Sequence, residues 1–309
     1  MADFPDSLWG GAISIGNFDG VHVGHRQLIQ RLLAAAHSVD GPSVVFTFEP
    51  HPARLLRPRQ APPPLTWLER KAELLGELGV DVVLACPVTL EWLALGAADF
   101  FARVIVSTMR AKAMVEGPNF HFGRGREGDI QRLGQLCEAA EVRLDIVEPV
   151  RQQATGEGGG LPDFISSSSI RAALDAGDVA AAAGWLGRPY RLRGIVAHGA
   201  GRGATIGFPT ANLHDIDTLV PAHGVYAARA EVAGRRWPVA VNIGPNPTFG
   251  EHATKVECHL IGFAQDLYGQ TLEVDFLRRL RTIRAFGSVD ELQSQLREDV
   301  LLARDIAAC

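Results

Sequence analysis

The chain lacks the features that would send it to a membrane, a nucleic acid or an oxidising compartment. No uncharged apolar run reaches spanning length; the best candidate, 80–98, is broken by Asp81, Pro87 and Glu91. Residues 1–12 hold Asp3 and Asp6 but no Lys or Arg, so no secretory signal is expected. The four cysteines, Cys86, Cys137, Cys258 and Cys309, show no metal-ligand spacing and are too sparse for a disulfide framework. They read as buried thiols. Basic excess is missing too: 30 Lys and Arg stand against 35 Asp and Glu, a formal charge of −5. That leaves no electrostatic footprint for nucleic acid, and any anionic ligand must be held by local donors. A cytoplasmic location with no membrane or nucleic-acid partner is the expectation. No oligomerisation signal or internal repeat is visible, and a homo-oligomer stays open.

What is present suggests two domains. The length of 309 residues suits two, and a hydrophobic content of 47% supplies their cores. Strand patterns at 12–15, 44–48, 80–85, 112–115 and 143–147 alternate with helical patterns at 25–37, 67–78, 97–109 and 130–140. That alternation predicts a Rossmann-like parallel sheet covered on both faces. Residues 156–160 read as a glycine-rich loop. Ser166 to Ser169 precede a helical run at 170–174 and read as its N-cap; a second short helix is expected at 179–186. Beyond 187–190 the pattern turns all-β, with strands at 191–197, 224–232, 237–242, 255–261 and 271–276, then one amphipathic helix at 289–308. The fold class is therefore α/β plus all-β: residues 1–185 as a parallel-sheet domain, 186–309 as a small β-barrel with a C-terminal helix.

Two stretches carry chemistry. The first strand runs into Gly16-Asn17-Phe18-Asp19-Gly20-Val21-His22-Val23-Gly24-His25 and then a helix. Glycines permit a tight turn and close approach of a phosphate, and a helix start offers unpaired N–H groups. Gly16, Phe18, Asp19 and Gly24 are placed at that phosphate. His22 and His25, three apart, share a face, where two imidazoles can donate to phosphate oxygens as pyrophosphate leaves. A zinc pair or two ordinary surface histidines are the competing readings; for zinc, no further ligands are suitably spaced. Ser167 and Ser168 start another helix, with Arg171 as a cation, and suit terminal phosphates. The run Gly123-Arg124-Gly125-Arg126-Glu127-Gly128 fits a dinucleotide fingerprint, with Glu148 twenty residues on. The preceding strand is expected to end at Val115, too far from those glycines for that role.

The second stretch is 199–212. It is no Walker loop, since no Gly-Lys pair occurs in the chain. Gly199, Gly201, Arg202 and Gly203 could form a flap whose amides surround phosphate, or a ligand-free hairpin. Thr210 and Asn212 offer oxygens of the kind Mg²⁺ takes beside ATP. Alone, Glu257 reads as a paired strand carboxylate.

Together these stretches resemble one family. The string 16–25 looks like the signature of HIGH-type nucleotidyltransferases. With Phe46-Thr47-Phe48-Glu49-Pro50-His51-Pro52, Gly117-Pro118-Asn119-Phe120-His121-Phe122-Gly123 and Ile165-Ser166-Ser167-Ser168-Ser169-Ile170-Arg171, it resembles the bacterial bifunctional riboflavin kinase/FAD synthetase family. Gly207-Phe208-Pro209-Thr210-Ala211-Asn212, Asn242-Ile243-Gly244-Pro245-Asn246-Pro247-Thr248, Val256-Glu257-Cys258-His259 and Asp266-Leu267-Tyr268-Gly269 are similar to its kinase half. The resemblance implies ATP as co-substrate, Mg²⁺ as cofactor, and riboflavin, FMN and FAD as substrate and products. It implies Thr210 and Asn212 as metal ligands, Glu257 as base toward the ribityl hydroxyl, and Asn119 in contact with nucleotide or flavin. Ser168 stands where the family usually has Thr, and Ala204 where it commonly has Arg. Residues 281–286 lack the acidic residue often found there. Two alternatives stay open: a pantetheine- or nicotinate-type nucleotidyltransferase with a passive β-domain, and a non-enzymatic flavin sensor.

Overall fold

Ala12, Ile13, Ser14 and Ile15 are all buried, the mark of a strand covered on both faces. In the computed structural model, which describes residues 9–151, 164–199, 201–245 and 254–308, they form β1 (Ala12–Ile15). β2 (Ser43–Glu49), β3 (Val82–Pro87), β4 (Ala113–Glu116) and β5 (Arg143–Ile146) pair with it in parallel, in the order β3-β2-β1-β4-β5. Helices between them include α1 (Val23–Ser38), α2 (Leu68–Glu77), α3 (Ala97–Phe100) and α4 (Ile130–Ala139). Alternate strand residues supply two cores. Ile13, Ile15, Val44 and Phe46 pack with Phe100, Val104 and Leu133 on one face. Ala12, Val45 and Val115 pack with Ile29, Leu32 and Leu75 on the other. The helix expected at 97–109 changes character midway. After α3 it widens into a π-helical stretch, Phe101–Thr108, in which the Met109 N–H reaches the Val104 carbonyl at 2.9 Å and Thr108 Oγ1 bonds the Arg103 carbonyl at 2.7 Å.

By contacts the chain divides into two compact units, Met1–Pro62 with Trp67–Ser166, and Pro63–Thr66 with Ser167–Cys309. In the second, α5 (Ser167–Ala176) and α6 (Val179–Leu186) come first; Asp178 caps α6 by accepting from the Ala181 N–H, and Gly187, at φ 69°, ends it. Then β6 (Tyr190–Ala197), β7 (Ala211–His214), β8 (Gly224–Val232), β9 (Arg235–Gly244), β10 (Lys255–Leu260) and β11 (Thr271–Arg281) close into a barrel in the order β10-β7-β6-β11-β8-β9. Strict in–out alternation along β6 and β10 fills it, with Tyr190, Tyr226 and Phe276 buried at its centre. Arg191 grips Asp275 across β6 and β11 (Nε–Oδ1 2.6 Å, Nη2–Oδ2 3.0 Å), a bidentate pair that raises the guanidinium pKa further. α7 (Val289–Ala308) packs Ala303 against Ala227 and Ile261.

Two strand expectations differ from the structure. β7 departs from the expectation because Ala211-Asn212-Leu213-His214 is short and its Asn212 reads as polar site chemistry rather than as a strand. β11 runs on to Arg281 instead of stopping at Phe276, since register shifts at Phe276/Arg278 and Arg279/Arg281 break its alternation. The loop expected at 156–160 and residues 246–248 lie outside the described residues.

Phe276 is fully buried between Tyr190 and Tyr226. Phe276→Ala is expected to cost about 3–5 kcal/mol. Urea unfolding should show the barrel's midpoint falling while the transition of the parallel-sheet unit stays put.

Candidate functional site

β1 delivers the chain to a loop folded against itself. Phe18 and Val21 adopt φ of 46° and 41°, and Gly20 83°. A left-handed valine is an outlier for a β-branched residue and marks stored strain. The Phe18 ring lies where a Cβ on Gly16 would come within 3.1 Å, and it stands 5.1 Å from the His25 ring. Phe18, Asp19, Val21 and His22 are all buried.

His22 is the N-cap of α1. Its Nδ1 accepts the His25 N–H at 3.4 Å, while His25 Nδ1 accepts the His22 N–H at 3.3 Å. The two imidazoles thus form a reciprocal capping box and stack, centroids 3.6 Å apart. Because each Nδ1 accepts, a neutral ring carries its proton on Nε2 and presents it as a donor. Gly24 makes room for the pair: a Cβ there would stand 3.1 Å from His22 ring atoms and 3.6 Å from the Ile165 carbonyl. Ile165 lies two residues before Ser167, the first residue of α5. Ser167, Ser168 and Arg171 themselves belong to the second unit, where Arg171 Nε bonds the Pro63 carbonyl at 2.9 Å.

Elsewhere in the first unit, His51 caps a short helix (Pro52–Leu56) through Nδ1 and contacts the Asn17 amide at 2.9 Å. Asn119 is exposed in a turn closed by the Phe120 N–H on the Gly117 carbonyl. Two glycines of the dinucleotide-like run, Gly123 and Gly128, are packing glycines, and Gly125 is a left-handed turn residue at φ 63°. A Cβ on Gly123 would meet the Ala97 nitrogen at 2.6 Å, and one on Gly128 the Phe122 ring at 2.7 Å. They sit at a 3₁₀ turn (Arg124–Arg126) and a β-bridge, not at a strand–helix junction. Sequence reasoning passed over Glu116, a buried carboxylate at the end of β4 that accepts the Ile15 N–H at 2.7 Å.

In the barrel, register assembles the site. Glu257 on β10 is level with Asn212 on β7 and with Asn242 on β9. Asn242 Nδ2 reaches Glu257 Oε2 at 3.3 Å. Thr210, two residues before Asn212, lines the same cavity of about 150 Å³. The flap crosses this row. A Cβ on Gly199 would strike Asn212 Nδ2 at 2.2 Å, and one on Gly203 the Phe208 carbonyl at 2.3 Å. Gly201, at φ 69°, precedes a single helical turn, Arg202–Thr205, that contains Ala204. His259 Nδ1 donates to the Pro209 carbonyl at 2.7 Å and so braces the arm that carries Thr210. Apolar walls come from Val225, Val241, Phe286 and Leu296. Arg281 finds its carboxylate on α7: Asp299, buried, pairs with it at 2.8 Å and also accepts from Gln295. That pairing joins residues far apart in sequence, and no local motif announces it.

Residues 5–156 match the family described as FAD synthetase, and residues 186–307 the family described as riboflavin kinase. The bifunctional riboflavin kinase/FMN adenylyltransferase of Escherichia coli (strain K12) is 39% identical over 297 residues, covering 96% of this chain and 92% of that protein. Proteins of the same name from Pseudomonas fluorescens and Bacillus subtilis (strain 168) are 38% identical over 304 residues and 34% over 292. They cover 96% and 93% of this chain, and 92% and 89% of their own lengths. A solved structure described as a macrolide-efflux protein from Streptococcus pneumoniae matches with a TM-score of 0.84 at 32% identity, over 96% of this chain and 94% of that one. No helix among the described residues is long and apolar enough to cross a membrane.

The capping geometry predicts that neutral His22 and His25 are both Nε2–H tautomers, which ¹⁵N NMR of the rings can check. Gly24→Ala should shift both ring signals. Gly134→Ala, where an added Cβ meets nothing within 4 Å, should leave them unchanged.

Proposed function

The chain belongs to the bifunctional riboflavin kinase/FMN adenylyltransferase family, and from that membership we propose how its residues divide the two reactions. It is a transferase with both activities: ATP phosphorylates riboflavin to FMN, and a second ATP adenylylates FMN to FAD with release of pyrophosphate. We assign adenylyl transfer to residues 1–185 and phosphorylation to residues 186–309. The row Asn212–Glu257–Asn242 beneath the glycine flap is the observation that carries the assignment of residues in the barrel.

For phosphorylation, Glu257 accepts the proton of the ribityl hydroxyl as that oxygen attacks the γ-phosphorus of ATP and ADP leaves. Asn242 steadies one carboxylate oxygen by its 3.3 Å bond. The apolar walls suit a flat aromatic ring system, and the amides of Gly199, Gly201, Arg202 and Gly203 suit the phosphates. Thr210 and Asn212 would hold Mg²⁺, and both side chains turn toward the flap. Their oxygens are neutral, which fits an ion bound largely by ATP phosphates. The metal would neutralise phosphate charge during transfer; the protein's share is placement.

For adenylylation, an FMN phosphate oxygen attacks the α-phosphorus of ATP and the bond to pyrophosphate breaks. His22 and His25 donate from Nε2 to phosphate oxygens, and the N–H groups of α1 near Gly24 add a positive dipole end. Gly16, Phe18 and Asp19 shape the loop for close approach. Ser167, Ser168 and Arg171 are assigned to the terminal phosphates, and Asn119 to nucleotide or flavin. A cytoplasmic location with small-molecule partners only completes the reading; free Cys86, Cys137 and Cys258 are in keeping with it.

His25→Ala should lower FAD formation roughly 10²–10³-fold and leave riboflavin phosphorylation intact. Glu257→Gln should do the reverse: FMN no longer forms from riboflavin, yet supplied FMN is still converted to FAD. Both are read by chromatography of the flavins. Joint loss of both products in either variant would overturn the two-site assignment, and unchanged phosphorylation in Glu257→Gln would remove Glu257 as base. Chelation by EDTA should stop phosphorylation, and added Mg²⁺ should restore it.

A further inference from the structure

We infer that Glu116 is a positioning residue for adenylyl transfer: its side chain spans the split between β1 and β4 and fixes the strand end from which the nucleotide loop departs. The inference rests on assigning adenylyl transfer to the parallel-sheet unit.

The sheet order places β2 and β3 on one side of β1, and β4 and β5 on the other. At such a reversal the connections leave on opposite faces, and a crevice opens at the carboxyl ends of the strands. The ladder between β1 and β4 joins Ala12 to Ala113 and Ile13 to Met114. Two residues later, the Ile15 N–H is taken by a side chain, Glu116 Oε1, at 2.7 Å. The Glu116 backbone meanwhile stays with β5, level with Ile146, and its carbonyl accepts the Val147 N–H at 2.8 Å. One residue thus follows β5 with its main chain and β1 with its side chain.

The surroundings define what position 116 needs. Glu116 is 2% exposed. Burial holds its carboxyl well above the usual carboxylate range, against the opposing pull of the Ile15 hydrogen bond. The Cys137 thiol is pushed up to about 11 by its own burial and by Glu116. The group required is a hydrogen-bond acceptor with the reach of glutamate. A strand N–H left without an acceptor in that setting would cost more than the bond itself contributes. The consequence travels a short way: Ile15 leads to Gly16, Gly16 is covered by the Phe18 ring, and that ring stands against His25.

The test uses full-length Glu116→Gln and Glu116→Leu. Rates and KM for ATP and FMN are measured in FAD formation, with riboflavin phosphorylation and thermal unfolding measured on the same samples. Glu116→Gln keeps the acceptor and should stay within about threefold of wild type. Glu116→Leu removes it, and kcat/KM for FAD formation should fall about 10- to 100-fold, mostly in kcat, as for a small displacement of catalytic groups. Phosphorylation should be unaffected in both. The inference fails if Glu116→Gln is as impaired as Glu116→Leu, or if a folded Glu116→Leu makes FAD normally. Should Glu116→Leu not fold, the Gln variant decides alone. A wild-type protein that made FMN but no FAD would instead strike the functional reading itself.

Discussion

Strand register is the constraint on which the kinase half depends. Asn212, Glu257 and Asn242 come from three strands that the chain visits at separate times, and they form a row because β7, β10 and β9 pair at one level. Side chains alternate across a strand, so a slip of one residue would send Glu257 into the core and bring Cys258 to the cavity. Cys258 is fully buried and shares the inner face with Val256 and Leu260, while Glu257 and His259 alternate with them on the other. The apolar contacts that fill the barrel therefore also hold the carboxylate in line with its amide neighbours. Core packing and site geometry are one requirement here.

The parallel-sheet half reaches a comparable end differently. The groups proposed for adenylyl transfer sit where a strand stops and a helix starts, and neighbouring elements hold them in place. Two histidines cap their own helix through Nδ1, which leaves Nε2 as the donor, and Gly24 keeps space for the ring that does so. Left-handed Phe18 and Val21 are tolerated because both side chains are buried, so packing over-determines a backbone that would be unfavourable alone.

Much of this was legible in the sequence. The alternation of apolar strands and helical periodicity gave every strand of the parallel sheet to within two residues, because strands buried on both faces leave continuous apolar runs. The glycine-bearing strings pointed to both loops. What stayed hidden arises between segments. β7 stays hidden since its four residues, Ala211 to His214, look like a loop until a barrel needs a partner for β6 and β10. The capping box was hidden because histidine is an uncommon N-cap. His259 bracing Pro209, Asn242 beside Glu257, and Asp299 answering Arg281 all require knowing which strands and helices meet. Glu116 is a lone acid at a strand end with no motif around it.

Closure of the barrel has a consequence for how the protein is made. β6 finds its partner in β11, Tyr190 with Phe276, so the barrel cannot shut until the chain through β11 has left the ribosome. The parallel sheet needs nothing beyond Ile146. During synthesis the nascent chain would hold a finished sheet while β6 waits with an open ladder, the interval in which the second half is most exposed to mispairing and to chaperones.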